Sequence, residues 1–413
     1  MRNNLRKHRT ITQTSKRKVC WKWIALDRIA TFSKGQGFSK SDLSGVGMPI
    51  LLYGNLYTDY HLIIDNVKTF TKSQAPAIIS KGKEVVVPSS GETAEDIARA
   101  SVILREGIII GGDINIIHPS DKINPIYLSI VLSYAQPHYE LVKKAQGIGI
   151  VHLSINDLAS VKIPITSPDE QERIAQCIIS IDNQIEKNKV SLEALKKHKA
   201  SLMQQLFPQR GSDTPILRFT DKNTRWKYKS LKTKTVHLTK KNVDNTVSTV
   251  LTNSAQYGVM CQQDFFERDI VSQYNLKNYY IVDKGDYVYN PRVSVAAPVG
   301  PVSKNEISRG VISPLYLVFR FNQETNDFYV YYFQSLHWQI QLKRIANSGA
   351  RFDRMSISTS DFFNIKVPDL PAKESEKIAS ILTSLDNLID AYQEKYDLLI
   401  KHKSGLMQQL FPN

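Results

Sequence analysis

Lys197-His198-Lys199-Ala200-Ser201-Leu202-Met203-Gln204-Gln205-Leu206-Phe207-Pro208 returns at the end of the chain as Lys401-His402-Lys403-Ser404-Gly405-Leu406-Met407-Gln408-Gln409-Leu410-Phe411-Pro412, 204 positions later. The same offset, without a gap, carries Pro164 to Pro368, Ile174-Ala175 to Ile378-Ala379, Asp182-Asn183 to Asp386-Asn387 and Ile185 to Ile389. A gapless repeat of this extent marks one structural unit used twice.

Working outward, apolar residues in the first copy fall at Ile174, Ile178, Ile181, Ile185, Leu192, Leu195, Leu202 and Leu206, in steps of three and four. The second copy follows with Ile378, Leu382, Leu385, Ile389, Tyr392, Tyr396, Leu399, Leu406 and Leu410. This is a heptad seam that neither helix can bury alone. Each copy opens on proline and acidic residues (Pro168-Asp169-Glu170; Pro371 to Glu374), which suit a helix N-terminus, and closes at Phe-Pro. A helix of roughly 38 residues is about 57 Å long, more than one globular core requires, so the stretch predicts a strut. Two seams predict an antiparallel intramolecular pair with the intervening domains at opposite ends. Lys199 and Lys403 share one seam position and predict a specific register.

Each long stretch is approached through Lys162-Ile163-Pro164 or Lys366-Val367-Pro368, with Asp157 or Asp361 shortly before. Together with the paired helices, these features resemble the specificity subunit of type I restriction-modification enzymes over nearly the whole chain. The resemblance implies an α+β fold: two mixed α/β target-recognition domains joined by two long antiparallel, coiled-coil-like helices in a pseudo-twofold repeat.

Lys and Arg outnumber Asp and Glu by 15 and the pI is about 9.4, so the chain should attract polyanions, nucleic acid foremost. Surface lysines that only serve solubility are the alternative. Cys20, Cys177 and Cys261 are odd in number and far apart, which predicts a reducing cytoplasm and no zinc site. No apolar run reaches membrane-spanning length, and the first twenty residues lack a signal-peptide core.

Read in order, the chain predicts a basic arm (1–20), a first domain (21–165), the first long helix (166–208), a connector (209–225), a second domain (226–368) and the second long helix (369–413). Both domains begin alike, at Trp21-Lys22 with Leu26 and at Trp226-Lys227 with Leu231. Only the second has the family-like lead-in Pro215-Ile216-Leu217-Arg218-Phe219. Short strands are expected at Ile50–Tyr53, Glu84–Val87 and Ile108–Ile110, then at Tyr279–Val282, Tyr287–Tyr289 and Leu315–Phe319. Late helices are expected after Asn124-Pro125 and from about Asp327, with glycine breaks at Gly147, Gly149 and Gly349.

No phosphate-binding glycine loop, paired metal-ligating histidines or assembled nucleophile is visible. Asn290-Pro291 reads as a turn and not as a methyltransferase motif, and Pro168-Asp169 and Pro368-Asp369 read as helix caps and not as nuclease elements. The aromatic run Phe328 to Phe333 with Trp338 reads as core, base stacking being the alternative. The candidate DNA-binding residues are basic and polar side chains beside glycine turns: Lys34, Gln36, Lys40, Lys81 and Lys83 in the first domain, and Arg292, Lys304, Arg309, Arg351 and Arg354 in the second.

The expected function is therefore a non-catalytic reader of an asymmetric, bipartite double-stranded DNA target. The resemblance further implies docking of two modification subunits that bind S-adenosylmethionine and methylate adenine, and of restriction subunits that use ATP and Mg to translocate and cut DNA. This chain itself is expected to bind no cofactor and no metal. Exposed Glu186, Lys187, Glu193 and Lys196 are candidate docking residues. A two-domain coiled-coil scaffold for proteins and an enzyme with an unfamiliar site are the rival readings.

Overall fold

A computed structural model describes residues 20–220, 225–265, 273–322, 327–346 and 353–412. Apart from Cys20, the expected basic arm lies outside the described residues, as do Arg351 and Gly349. The chain divides into two compact units, residues 1–187 with 396–413, and residues 188–395. Each unit thus contains one domain, the first part of one long helix and a portion of the other.

The long helices span Pro168–Leu206 and Ala372–Leu410, 39 residues each. They run antiparallel. Within the second unit, Asn188 donates to the Tyr392 carbonyl (2.7 Å), Lys196 to Gln393 (3.5 Å) and Lys199 to Asp386 (2.6 Å). Within the first, Lys403 meets Asp182 at 2.6 Å, the counterpart of Lys199–Asp386 under the 204-residue offset. The lysines expected to set the register are thus each held by an aspartate of the facing helix. Each also lies over a tyrosine ring, Tyr331 at 5.3 Å for Lys199 and Tyr134 at 4.6 Å for Lys403. Burial works against the Lys403 charge, but Tyr134 and Asp182 outweigh it and hold its pKa above the ordinary lysine value.

The seam needs correcting at both ends of each helix. Ile181 and Leu192 are buried, and Ile185, Leu195, Leu202, Leu385, Ile389, Leu399 and Leu406 are half-buried, as an exposed two-helix pair allows. Ile174 and Ile178, however, belong to the first domain's core, and Ile378 and Leu382 to the second's. The helix tails do the converse: Met407 and Phe411 enter the first core, Leu206 and Phe207 the second. Each domain is therefore closed by the end of the other copy's helix.

In the first unit two five-stranded sheets carry the domain. One runs in the order Ala30–Lys34, Ile114–Pro119, Val85–Pro88, Ser101–Ile103, Ile63–Ile64; the other Leu43–Ser44, Phe70–Thr71, Met48–Leu51, Glu106–Ile110, Ile78–Lys81. Helix Pro125–Tyr134 covers the core, its start capped by Asn124, which accepts from the Ile126 and Tyr127 amides. The second unit has a four-stranded antiparallel sheet, Thr235–Leu238, Leu317–Phe321, Tyr287–Tyr289, Val302–Lys304, and the antiparallel pairs Leu251–Ser254 with Gly258–Cys261 and Tyr280–Val282 with Gly310–Ile312. Its aromatic run is core: Phe328, Tyr332 and Trp338 are almost fully buried.

Both domains close at the same place. Lys22–Ala25 pairs antiparallel with Lys162–Ile165, and Tyr228–Ser230 with Lys366–Pro368, so the Trp start and the Lys-x-Pro segment are hydrogen-bonded to each other. Tyr127 donates to the Pro164 carbonyl (2.6 Å) and Tyr329 to that of Pro368 (2.7 Å). Asp157 and Asp361 sit in short helices whose first turns are capped by Ser154 and Ser358. The connector is pinned by Leu217 N–H donating to the Gln205 carbonyl. Arg218 makes a two-pronged pair with buried Glu374, at 2.7 and 2.8 Å. Asp369 does not cap a helix: Pro368 ends a strand, and Asp369 pairs with Lys229 (2.8 Å) and Lys234 (2.5 Å). Among the described residues no helix is long and apolar enough to cross a membrane.

Candidate nucleic-acid interface

In the first unit Lys34 ends a strand and the chain then turns over Gly35–Gly37. A Cβ on Gly35 would lie 1.9 Å from the Gly111 carbonyl oxygen, so only glycine lets the two backbones meet. Gly35 N–H donates to Ile114, Gln36 N–H to Ile110 and Gly112 N–H to Gly37. This ladder makes a rigid edge on which Lys34, Gln36 and Lys40 are exposed, Lys40 in a short turn closed by Ser39 and Asp42. The same ladder continues: Ser89 N–H donates to Asp113, Leu153 N–H to Ser89, and Val151–His152 pairs with Ser90–Gly91. The Gln146–His152 hairpin therefore stands on this edge.

Lys81 and Lys83 are exposed elsewhere. Lys81 pairs with Glu106, at the far end of the strand that reaches Ile110 beside Gln36. Four residues of strand put about 13 Å between those ends. The Lys81–Lys83 turn is nonetheless fixed, because the buried Glu84 carboxylate accepts from the Lys81, Gly82 and Lys83 amides.

The second unit divides its candidates the same way. Arg292 is exposed and forms a backbone bridge with Arg354, supported by Met355 N–H to Pro291 and Val293 N–H to Asp353. Asn290-Pro291 is indeed a turn, with Asn290 Oδ1 accepting from the Arg292 amide. Lys304 lies at the opposite end of strand Tyr287–Tyr289, paired with Asp327 at 2.7 Å and Glu306 at 3.6 Å. Burial opposes its charge, yet Asp327 and Glu306 outweigh that and raise its pKa. Arg309 meets Asp283 at 3.5 Å. Lys304 and Arg309 are thus drawn to carboxylates within the domain. Arg292 and Arg354 instead share one edge, Arg354 with only a loose 3.9 Å approach to its neighbour Asp353.

The family model described as the type I restriction modification DNA specificity domain matches twice, over residues 18–197 and 227–399. The chain belongs to this family. Its role is DNA sequence specificity, a non-catalytic one, and the protein-scaffold reading is not favoured. The type I restriction enzyme MjaVIII specificity subunit of Methanocaldococcus jannaschii is 22% identical over 378 residues, 87% of this chain and 85% of that relative. A chain from the same organism described as the MjaX specificity subunit is 25% identical over 326 residues, 74% and 72% of the two chains. The crystal structure of the type I restriction-modification S subunit from M. genitalium shares the fold, with a TM-score of 0.62 and 14% identity over 97% of this chain and 98% of that one.

A specificity chain also needs surfaces for other proteins. A groove in the second unit is lined by Lys199, Met203, Gln204 and Phe207 with Leu336 and Ile340. Its counterpart in the first is lined by Lys403, Met407, Gln408 and Phe411 with Tyr134 and His138. Glu186, Lys187, Glu193 and Lys196 are exposed on the first long helix. Two prominent features of these edges carry no mark in the sequence: the apolar tips Ile148 and Val295. The glycines around Ile148 are visible in sequence, but as helix breakers they do not say what stands between them.

Proposed function

We propose that the two units each read one half of an asymmetric split DNA target, with an unread spacer between the halves. The observation that carries this is the twofold match to the DNA specificity domain, joined to two like frames whose reading edges differ in sequence. Lys34, Gln36 and Lys40 serve the first half-site, and Arg292 and Arg354 the second, where an arginine can take a guanine bidentately. The repeated helices and their paired grooves suit two copies of one modification subunit, with restriction subunits joining that assembly. S-adenosylmethionine, ATP and Mg are cofactors of those partners, and the complex works in the cytoplasm.

The test is single-molecule sequencing of methylated adenines in cells that express this chain with its modification subunit. A split motif that appears only with the chain is expected; a stable complex that leaves no motif would refute the reading. A second readout concerns the spacer. Seven residues inserted into each long helix after Lys187 and Lys395, at the boundaries between the units, add about 10 Å while leaving each unit's helix contacts in register, so the spacer should lengthen by about three base pairs.

A further inference from the structure

We propose that Ile148 and Val295 are apolar base-reading tips, each seating against a thymine methyl group in the major groove of its own half-site. The inference rests on the DNA-specificity reading and adds residues to it. Among the described residues these are the two large apolar side chains left wholly bare, at 104% and 103% of full exposure. A scattered surface aliphatic needs no explanation. These two differ because the backbone is built to hold them out, and because both stand on the edges that carry the candidates of the two half-sites.

Ile148 tops the hairpin closed by the paired Gln146 and His152 hydrogen bonds (3.1 and 2.8 Å). It is flanked by Gly147 and Gly149, at φ +149° and +82°, and a Cβ on Gly147 would lie 2.0 Å from the Ile150 carbonyl oxygen. The hairpin is joined through Ser89, Asp113 and Gly112 to the turn bearing Lys34 and Gln36.

Val295 tops the turn in which Ala297 N–H donates to Ser294 Oγ (3.1 Å) and Ser294 N–H to the Ala297 carbonyl (3.0 Å). That turn leaves Arg292 and returns through Gly300, at φ +82°, where a Cβ would lie 2.0 Å from the Asn290 carbonyl oxygen. Arg354 is bridged to its base.

An aliphatic side chain gains nothing from a phosphate. On the major-groove edge, the apolar group offered by a base is the thymine C5-methyl, while neighbouring Lys, Gln and Arg side chains can take phosphates and polar base atoms. Basic groups that position the duplex beside a bare Ile or Val are therefore suited to methyl recognition.

The experiment uses the full chain assembled with its modification subunits and duplexes carrying its split motif, with each half-site thymine replaced in turn by deoxyuridine. One such replacement per half-site should weaken wild-type binding about fourfold, the effect of one buried carbon. Ile148→Ala should weaken binding about tenfold and abolish the deoxyuridine effect in one half-site only, and Val295→Ala should do so in the other. Ile148→Val should keep most of the affinity, and thermal midpoints should not move, because the tips pack against nothing. Unchanged affinity in both alanine variants, insensitivity to deoxyuridine, or both variants acting at one half-site would overturn the proposal. A wild-type complex that binds no split motif would instead refute the DNA reading beneath it.

Discussion

The first unit buries aliphatic strands, Val85–Val87, Ile108–Ile110, Ile114, Ile116 and Ile117. The second fills the corresponding role with rings: Tyr287, Tyr289, Phe319, Phe321, Phe328, Tyr332, Trp338 and Phe362, many in face or edge contact, such as Tyr289 on Phe362 at 4.4 Å. Around these unlike interiors the frame contacts recur, those of the helices and the Lys-x-Pro segments at the 204-residue offset and the tyrosines, Tyr127 and Tyr329, at 202. Lys–Asp pairs lock the helices, a tyrosine hydroxyl holds each Lys-x-Pro segment, and a terminal phenylalanine closes each core. The contacts that must fit the repeated helices have been kept, while the interiors, answerable only to themselves, have diverged. The frame is still not perfectly twofold, and its departures give the sharpest tests.

The largest departure is at the helix starts. Glu374 is wholly buried and holds Arg218 from the connector, whereas Glu170, its repeat counterpart, meets Arg173 at 3.5 Å near the surface. Removing one partner of a buried pair strands the other charge, so Glu374→Ala should cost about 3–5 kcal/mol. Glu170→Ala should cost less than about 0.5 kcal/mol, as an exposed i,i+3 pair does. Urea unfolding of the full chain checks both, and equal losses would break the comparison. A smaller contrast lies at the helix tails. Phe207 meets the rings of Trp226, Phe328 and Tyr332, and Phe411 meets that of Tyr127. Phe207→Ala should cost about 3–5 kcal/mol. Phe411→Ala, measured in the same way, should cost about 1–3 kcal/mol less, because fewer rings surround it.

The frame was the most legible part of the chain because it rests on periodicity and repetition. The heptad steps and the 204-residue offset predict two long antiparallel helices, and Asn124-Pro125 predicts a helix start. What periodicity cannot carry is the identity of a partner. Lys403 and Asp182 are both conspicuous in the repeat, yet their pairing needs the fold, because 220 residues separate them. For the same reason the seam over-assigned Ile174 and Ile378 to helix pairing, when apolar residues at helical spacing fit a domain core equally well. In the candidate edges, residue type and nearby glycines point to Lys34 and Lys304 alike. Only the structure separates a lysine exposed beside a rigid turn from one already held by Asp327.

The smallest contrast is one of pH. Asp369 occupies the repeat position of Ile165 in the first unit, where no charge can titrate. Hydrogen bonds from Lys229 and Lys234 hold the Asp369 carboxyl below its ordinary pKa. A carboxylate whose folded pKa lies below its unfolded value adds stability that is complete above the unfolded pKa and is lost as pH falls through the folded one. Because the Lys229 side chain is 60% exposed, water screens part of the interaction, and Asp369→Asn should cost no more than about 1 kcal/mol at neutral pH. The gap between wild type and Asp369→Asn, measured by urea unfolding at neutral pH and again in acid below the depressed pKa, should close in acid. A gap of the same size at both pH values would mean that Asp369 acts through shape and neutral hydrogen bonding, and that the two Lys-x-Pro segments lead into their helices with different packing and not with different charge.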